Sequence, residues 1–283
     1  MLNFCGDNIA TGGILGSPLR PWEQPNKLSS IVSSRTGSTR GLITWLEDNA
    51  DEFTSASPIH LVNSGGIGVY GCDHTTSSHP SPAEGEDAPS SASPRAGFLA
   101  EVSREWEAAC STSKPERVQI SVLRIAPVLL KASSVFAAGG VLKNLLPPFF
   151  FGGGGPVGSG EQLFPFIGER DFTRVVIDHV MPRAPEAGET SPRIYNVVAP
   201  SKVSNGEFSQ ALASALGRPC VVPLPGFVVK LLFGRMGEEV LLGGVTAAPK
   251  RLLAEGFEFQ DGTIKEAMEH AVGGITLTTN RSS

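Results

Sequence analysis

The chain reads as an α/β protein: a parallel sheet covered on both faces, followed by a mixed, mostly helical lobe. Two observations predict this. Three apolar runs, residues 2–5, 59–63 and 119–130, alternate with two stretches of helical periodicity, the order that parallel strands with crossover helices require. From Gly139 onward the texture changes to Pro- and Gly-rich turns between shorter helices. At 283 residues the chain is long enough to bury a core of this kind.

Residues 2–5 make a short strand that ends in the turn Gly6-Asp7-Asn8. Ligands of open parallel sheets sit outside such carboxyl ends. Residues 11–25, rich in Gly and Pro, read as a loop, and residues 28–46 as a helix with Ile31, Thr39, Leu42 and Leu46 inward. Residues 59–63 are a buried strand entering the turn 64–71. Residues 72–97, dominated by Ser, Pro and acidic side chains, are expected to be a solvated, mobile loop. Residues 98–110 return to helical spacing, with Leu99, Val102, Trp106 and Ala109 on one side, and 119–130 form a strand closing at Pro127. Beyond it come a helix to Leu146, a hairpin around Gly158-Ser159-Gly160, a helix-like run 171–180 and a strand 194–198. Helix 205–216 is capped by Ser204 and closed at Gly217. Residues 225–270 make a small helical lobe with an extended piece at 256–260. The boundaries expected are 1–138 for the sheet domain, 139–222 for substrate-side segments and the sheet return, and 223–283 for the helical domain.

A net charge of −5 and no Lys/Arg block argue against nucleic acid or an anionic membrane as partner. Cys5, Cys72, Cys110 and Cys220 show no CxxC spacing and read as isolated reduced thiols of an intracellular protein, cytoplasmic or organellar. The apolar stretch 227–242 carries Lys230, Arg235, Glu238 and Glu239, against a membrane span, so a soluble chain is expected. His74 and His79 with Cys72 and Asp73 lie in the Ser/Pro loop, where ligands do not converge on ordered backbone; no metal site is expected.

Five stretches, in order, carry a resemblance. They are Asn3-Phe4-Cys5-Gly6-Asp7-Asn8-Ile9; Phe98-Leu99-Ala100-Glu101-Val102 through Trp106-Glu107; Leu145-Leu146-Pro147-Pro148 through Gly158-Ser159-Gly160; Tyr195-Asn196-Val197-Val198-Ala199-Pro200 through Glu207-Phe208; and Leu241-Leu242-Gly243-Gly244 through Pro249-Lys250-Arg251-Leu252-Leu253. Together they resemble the extended short-chain dehydrogenase/reductase superfamily, in its NAD-dependent epimerase family branch with a C-terminal helical domain. The resemblance implies a Rossmann-like parallel sheet, an NAD(P) cofactor and a small-molecule substrate. The family's opening strand and Gly-rich turn have no counterpart here, so the sheet is expected to be truncated by about two βα units, roughly 60 residues. That would leave strand 2–5 as a bare sheet edge. Two runs fit G-x-G-x-x-G by letter, Gly66 to Gly71 and Gly153 to Gly158, but neither opens a helix, so neither has the mechanism of a phosphate cradle.

The superfamily moves protons with a Tyr whose pKa a Lys lowers, because a phenol near pKa 10 is otherwise inert at neutral pH. By the resemblance, Phe98 and Val102 stand where that Tyr and Lys would be, and the orienting hydroxyl falls on Gly65 or Gly66. Ser64 is the nearest hydroxyl, either orienting a substrate carbonyl or bonding its own turn. Tyr70 is either an alternative acid or a packed aromatic. The resemblance places Gly6, Asp7 and Asn8 beside the cofactor ribose and Pro127 and Val128 beside the nicotinamide. Arg35 faces the same edge as a cofactor contact, or is an exposed helix arginine. Gly160, Glu161 and Gln162 fall on the substrate-side hairpin, which a plain turn explains equally well. Glu169 and Asp171 fit helix capping. Three functions follow: an NAD(P)-dependent oxidoreductase or epimerase-like enzyme, a non-catalytic or truncated relative, and a non-redox isomerase or dehydratase on the same scaffold.

Overall fold

Four parallel strands in the order β1 (Leu2–Asn3), β2 (Ile59–Gly66), β3 (Val118–Ile125) and β6 (Arg193–Val197) form the sheet of the computed structural model. The structure describes residues 1–10, 19–53, 58–72, 81–84, 97–114, 116–185 and 192–275. Between β3 and β6 lie β4 (Val128–Leu129) and β5 (Ile167–Gly168), which pair with each other in parallel. Strand β3 is buried through its first seven residues, as a strand covered on both faces must be. Strand β1 pairs with β2 through Leu2↔Val62 and Asn3↔Asn63, and no described strand pairs with its outer side.

Helices α1 (Lys27–Asp48) and α2 (Phe98–Ala108) lie against one another. On the α1 face, Ile43 and Leu46 pack on Leu61, Val118, Ile120 and Val122. Ile31, Thr39 and Leu46 are buried as the helical spacing predicts, whereas Leu42 only flanks the cluster and Ile43 takes the inner place. The other face is covered by α4 (Glu169–Arg174), which runs on into a π-helical turn, Val175–Val180. From that turn Val175, Val176 and Val180 meet Val62, Leu123, Tyr195 and Val197.

A second core joins α3 (Leu142–Phe150), α5 (Asn205–Ala215) and α8 (Ile264–Val272) through Leu142, Leu146, Phe149, Phe208, Leu212 and Met268. Helix α3 continues through Pro147 and Pro148, where the sequence predicted its end at Leu146. Prolines cannot donate to the preceding turn; here burial of Leu146 and Phe149 outweighs that loss, and the Pro147 and Pro148 carbonyls accept from Phe151 and Gly153. Helix α5 starts with a full capping box, Ser204 with Glu207. Of the remaining helices, α6 (Gly226–Met236) packs through Met236 with Trp22, Ile31 and Val102, and α7 (Lys250–Ala254) adds Leu252 to the core on the α4 side of the sheet.

The piece 256–260 pairs into no strand, and its Gln260 amide donates to both carboxylate oxygens of Asp171. Two other expectations need correcting. The turn at Gly158-Ser159-Gly160 is not a ladder hairpin: single bridges Val157↔Leu224 and Leu163↔Ser204 hold it instead. Within the stretch expected to be solvated, Pro82 and Ala83 are buried and Glu84 accepts the amides of Asn196 and Arg251. The rest of that loop, with His74 and His79, lies outside the described residues. No helix among the described residues is long and apolar enough to cross a membrane.

Candidate active site at the strand ends

The strand ends bring Gly6, Asp7 and Asn8 against the first half of α1. The Asp7 amide donates to Ser34 Oγ at 2.9 Å, and its carboxylate receives Lys27 Nζ at 2.8 Å and Ser30 Oγ at 3.0 Å. That Lys27 contact holds the Asp7 carboxyl below the usual carboxylate range. Asn8 Oδ1 accepts the Ala10 amide at 2.8 Å, closing the turn. Arg35, on the same helix, lies directly on Gly6: a Cβ there would meet its Cζ at 3.1 Å. Its guanidinium lies over Trp106 at 5.2 Å and, among the described residues, donates only to the Ile31 carbonyl. Burial lowers its pKa, Asp7 acting in the opposite sense, and among the described residues no carboxylate pairs with it. Arginine has five N–H donors, so this one keeps most of its hydrogen-bonding capacity beside the edge where a ligand of this fold sits.

Beneath that edge runs a buried polar chain. Asn3 Nδ2 donates to Asn63 Oδ1 at 2.6 Å, and Trp106 Nε1 donates to Thr39 Oγ1 at 3.0 Å, which itself contacts Asn63. Ser64, next on β2, is 4% exposed and its Oγ has no hydrogen-bond partner among the described residues. At Gly66 an added Cβ would meet Ser103 Oγ of α2 at 2.9 Å. The Ser103 hydroxyl of α2 thus occupies the space that a side chain at Gly66 would enter.

Phe98 and Val102 belong to an apolar cluster. Val102 is 3% exposed and packs with Trp22, Ile31 and Met236. Trp22 meets Phe98 edge-on at 5.0 Å, and its Nε1 donates to the Ile9 carbonyl. At this place the chain holds no proton-transferring pair. Against it lies Glu239, whose carboxylate accepts the amides of Phe98 at 3.0 Å and Leu99 at 2.6 Å. Burial pushes that carboxyl above its usual range, against the pull of the two amides. Nothing local in the sequence signals Glu239, which lies 140 residues from Leu99.

Tyr70 sits in a short 3-10 turn, Ile67–Tyr70, and is 3% exposed. Its hydroxyl lies 2.9 Å from Asn196 Oδ1 and 3.1 Å from the Ala83 carbonyl, and receives Arg124 Nη1 at 2.7 Å. Arg124 in turn holds Glu107 through two bonds, 2.7 and 2.8 Å. Burial raises the Tyr70 pKa, and the Arg124 charge opposes it. The geometry is that of a packed aromatic with a saturated hydroxyl. Pro127 and Val128 lie at the end of β3, half-buried, with the Pro127 carbonyl accepting the Ile167 amide at 3.1 Å. Gly160 and Gln162 are buried and Glu161 exposed; Gln162 Nε2 bridges the Val157 and Leu241 carbonyls, both at 2.9 Å. They thus form a brace to the C-terminal lobe, separate from the turn at Gly6. Asp171, fully buried, accepts the amides of Gln260 and Asp261, so it ties the lobe down rather than capping its own helix. No metal-holding group of His, Cys, Asp and Glu occurs among the described residues.

A parallel sheet with helices on both faces and glycine-bearing turns at its carboxyl edge defines a Rossmann-like α/β protein. Residues 224–271 match a domain of unknown function, DUF1731. Epimerase family protein SDR39U1 of Bos taurus is 31% identical over 272 residues, covering 96% of this chain and 81% of the bovine protein. The chloroplastic SDR39U1 homologue of Arabidopsis thaliana is 30% identical over 269 residues, covering 94% and 69%. The chain belongs to this SDR39U1-like epimerase family. Human SDR39U1, solved with NADPH, superposes with a TM-score of 0.73 at 26% identity, covering 95% of this chain and 80% of that one. A UDP-galactose 4-epimerase shares the fold alone, with a TM-score of 0.61 at 14% identity.

Proposed function

We propose that the chain is an NAD(P)-binding, epimerase-family protein acting on a small molecule, with the cofactor lying across the carboxyl edge of β1 and β2. Arg35 is the observation that carries this reading: a half-buried cation over Trp106 and against Gly6, with no carboxylate hydrogen-bonded to it among the described residues. A guanidinium held in that state suits a dinucleotide phosphate or ribose oxygen. Gly6, Asp7 and Asn8 line the same edge, and Pro127 and Val128 lie where the ring end of the cofactor would rest. The NADPH in the human relative's structure supports the choice of cofactor class. The bound nicotinamide would supply hydride transfer. The phosphate-cradling Gly-rich turn is assigned to no described residue.

The apolar filling at Phe98 and Val102 favours a second reading on the same scaffold. With no Tyr/Lys pair, a bound nicotinamide would serve either a non-redox isomerisation or dehydration, or binding alone. Ser64 and Tyr70 remain the candidate hydroxyls, Ser64 the better placed because its Oγ has no partner among the described residues. Gly160, Glu161 and Gln162 are proposed to border the substrate.

Titration of the purified chain with NADPH, followed by cofactor fluorescence, tests the proposal. Micromolar binding, about −8 kcal/mol, is expected. In Arg35→Gln, removal of a charge-assisted contact worth ~1.5–3 kcal/mol should weaken it by about ten- to a hundredfold. A folded protein that binds nothing at millimolar NADPH overturns the reading. Binding without oxidation by any carbonyl substrate selects the non-redox reading.

A further inference from the structure

Helix α6 is apolar on its outer side as well as its inner one. Inward, Val229 is fully buried and Met236 packs with Trp22, Ile31 and Val102. Outward stand Phe227 and Leu231, one turn apart and so neighbours on the helix surface. A surface helix ordinarily turns polar residues that way, and a helix apolar all round is normally a covered one. The segment leading into α6 continues the pattern with Val221 and Val222. It runs alongside the chain that leaves α3: the Val222 amide donates to the Gly154 carbonyl at 3.2 Å, and the Leu224 amide to the Pro156 carbonyl at 2.9 Å. Just before that chain stands Phe151, its ring 6.5 Å from that of Phe136. All six of these apolar side chains are between 50% and 73% exposed.

At the usual areas of Phe and aliphatic side chains, they present about 600 Å² of apolar surface. The largest apolar patch of a typical monomer is about 300–600 Å². One face of a standard interface buries about 800 Å², of which about 450 Å² is apolar. The strip therefore supplies the whole apolar share that one face of a stable dimer needs. Lys230, beside Phe227 and Leu231 on the helix, is paired with Glu238 at 2.9 Å. The outer face of α6 thus meets a second copy of itself without a cluster of like charge, while the chain's net charge of −5 opposes an anionic bilayer.

We propose that this strip is the interface of a homodimer, in which two copies of the chain meet across a two-fold axis through the outer face of α6. A two-fold lets one patch cover itself and closes the assembly at two chains. The dimer stands whichever ligand the strand ends take.

Sedimentation equilibrium of the full chain tests this. The expected result is twice the chain's mass, with a dissociation constant of about 1 μM or below. Phe227→Asp with Leu231→Asp sets four carboxylates against one another at the seam and should weaken association by about a hundredfold or more, with an unchanged urea midpoint. Trp45→Asp, at an exposed aromatic of α1, should leave the dimer intact. A parent chain that stays monomeric at about 100 μM overturns the proposal, and so does a mass that climbs past two chains. A dimer that survives the α6 substitutions, or is lost in Trp45→Asp instead, overturns this surface as the interface. A monomeric parent that co-sediments with phosphatidylcholine vesicles assigns the strip to a bilayer and refutes the dimer. Should the α6 variant fail to fold, Phe151→Asp with Val221→Asp, at the other end of the strip, decides in its place.

Discussion

Replacing Tyr70 by Phe removes one oxygen and keeps the ring. If Tyr70 is a packed aromatic, that oxygen matters because three groups converge on it: Arg124 Nη1 at 2.7 Å, Asn196 Oδ1 at 2.9 Å and the Ala83 carbonyl at 3.1 Å. Arg124 keeps its two bonds to Glu107, so its charge stays paired and only one donor is orphaned. Asn196 Oδ1 loses a donor, while its Nδ2 still reaches the Ala248 carbonyl. Leaving a buried polar group unsatisfied costs about 1–3 kcal/mol, so Tyr70→Phe should destabilise the fold by about 2–3 kcal/mol. The stack of Arg124 on the ring, 5.0 Å from its centre, survives the change and keeps the loss from growing. Urea unfolding with a common m-value measures this directly. NADPH affinity should stay within about twofold of the parent, since the hydroxyl faces β6 rather than the edge at Gly6. A variant as stable as the parent to about 0.5 kcal/mol, yet altered in cofactor binding, would refute the reasoning and return Tyr70 to the acid role.

Two further outcomes follow from buried titratable groups. Asp171→Ala removes a fully buried carboxylate that accepts the amides of Gln260 and Asp261 and pairs with Arg174, and should cost about 3–5 kcal/mol; a loss below 1 kcal/mol in urea unfolding, with unchanged proteolysis at 256–261, would contradict it. Burial lowers the pKa of His60 and of His179 below the usual histidine value. The unfolded chain then binds more protons just below that value, so their contribution to stability is full above it and declines as pH falls toward the folded pKa values. The urea midpoint should therefore drop between neutral pH and about pH 5.5, and His60→Gln should flatten the slope. A slope identical to the parent's would rule His60 out as its source.

Much of the fold was legible because the signals were local and strong. Helix α1 and strands β2 and β3 follow from apolar spacing alone, and the α5 capping box is written in Ser204 and Glu207 three positions apart in one segment. Helix α3 was misjudged at Pro147 because a local rule about missing donors competes with burial of Leu146 and Phe149, which only the tertiary core reveals. Asp171 and Glu84 were illegible for another reason. Their partners are backbone amides 89 to 167 residues away, and an amide carries no sequence signature at all.

The candidate site divides along the same line. That Phe98 and Val102 cannot move protons is plain from their side chains. What fills the space is not, because Trp22 reaches it from one distant segment and Met236 and Glu239 from another. A Tyr/Lys pair needs a polar, partly wetted pocket, since a lysine buried without a partner loses its charge and cannot depress a phenol pKa. Here Val102 is 3% exposed among apolar neighbours. Restoring the pair as Phe98→Tyr with Val102→Lys should therefore yield a destabilised protein with no gain in reductase activity. Purified variant and parent, compared for NADPH oxidation across a carbonyl panel and for urea midpoint, settle it. A double variant as stable as the parent and newly able to oxidise NADPH would show that this cluster is a dormant active site rather than an apolar core.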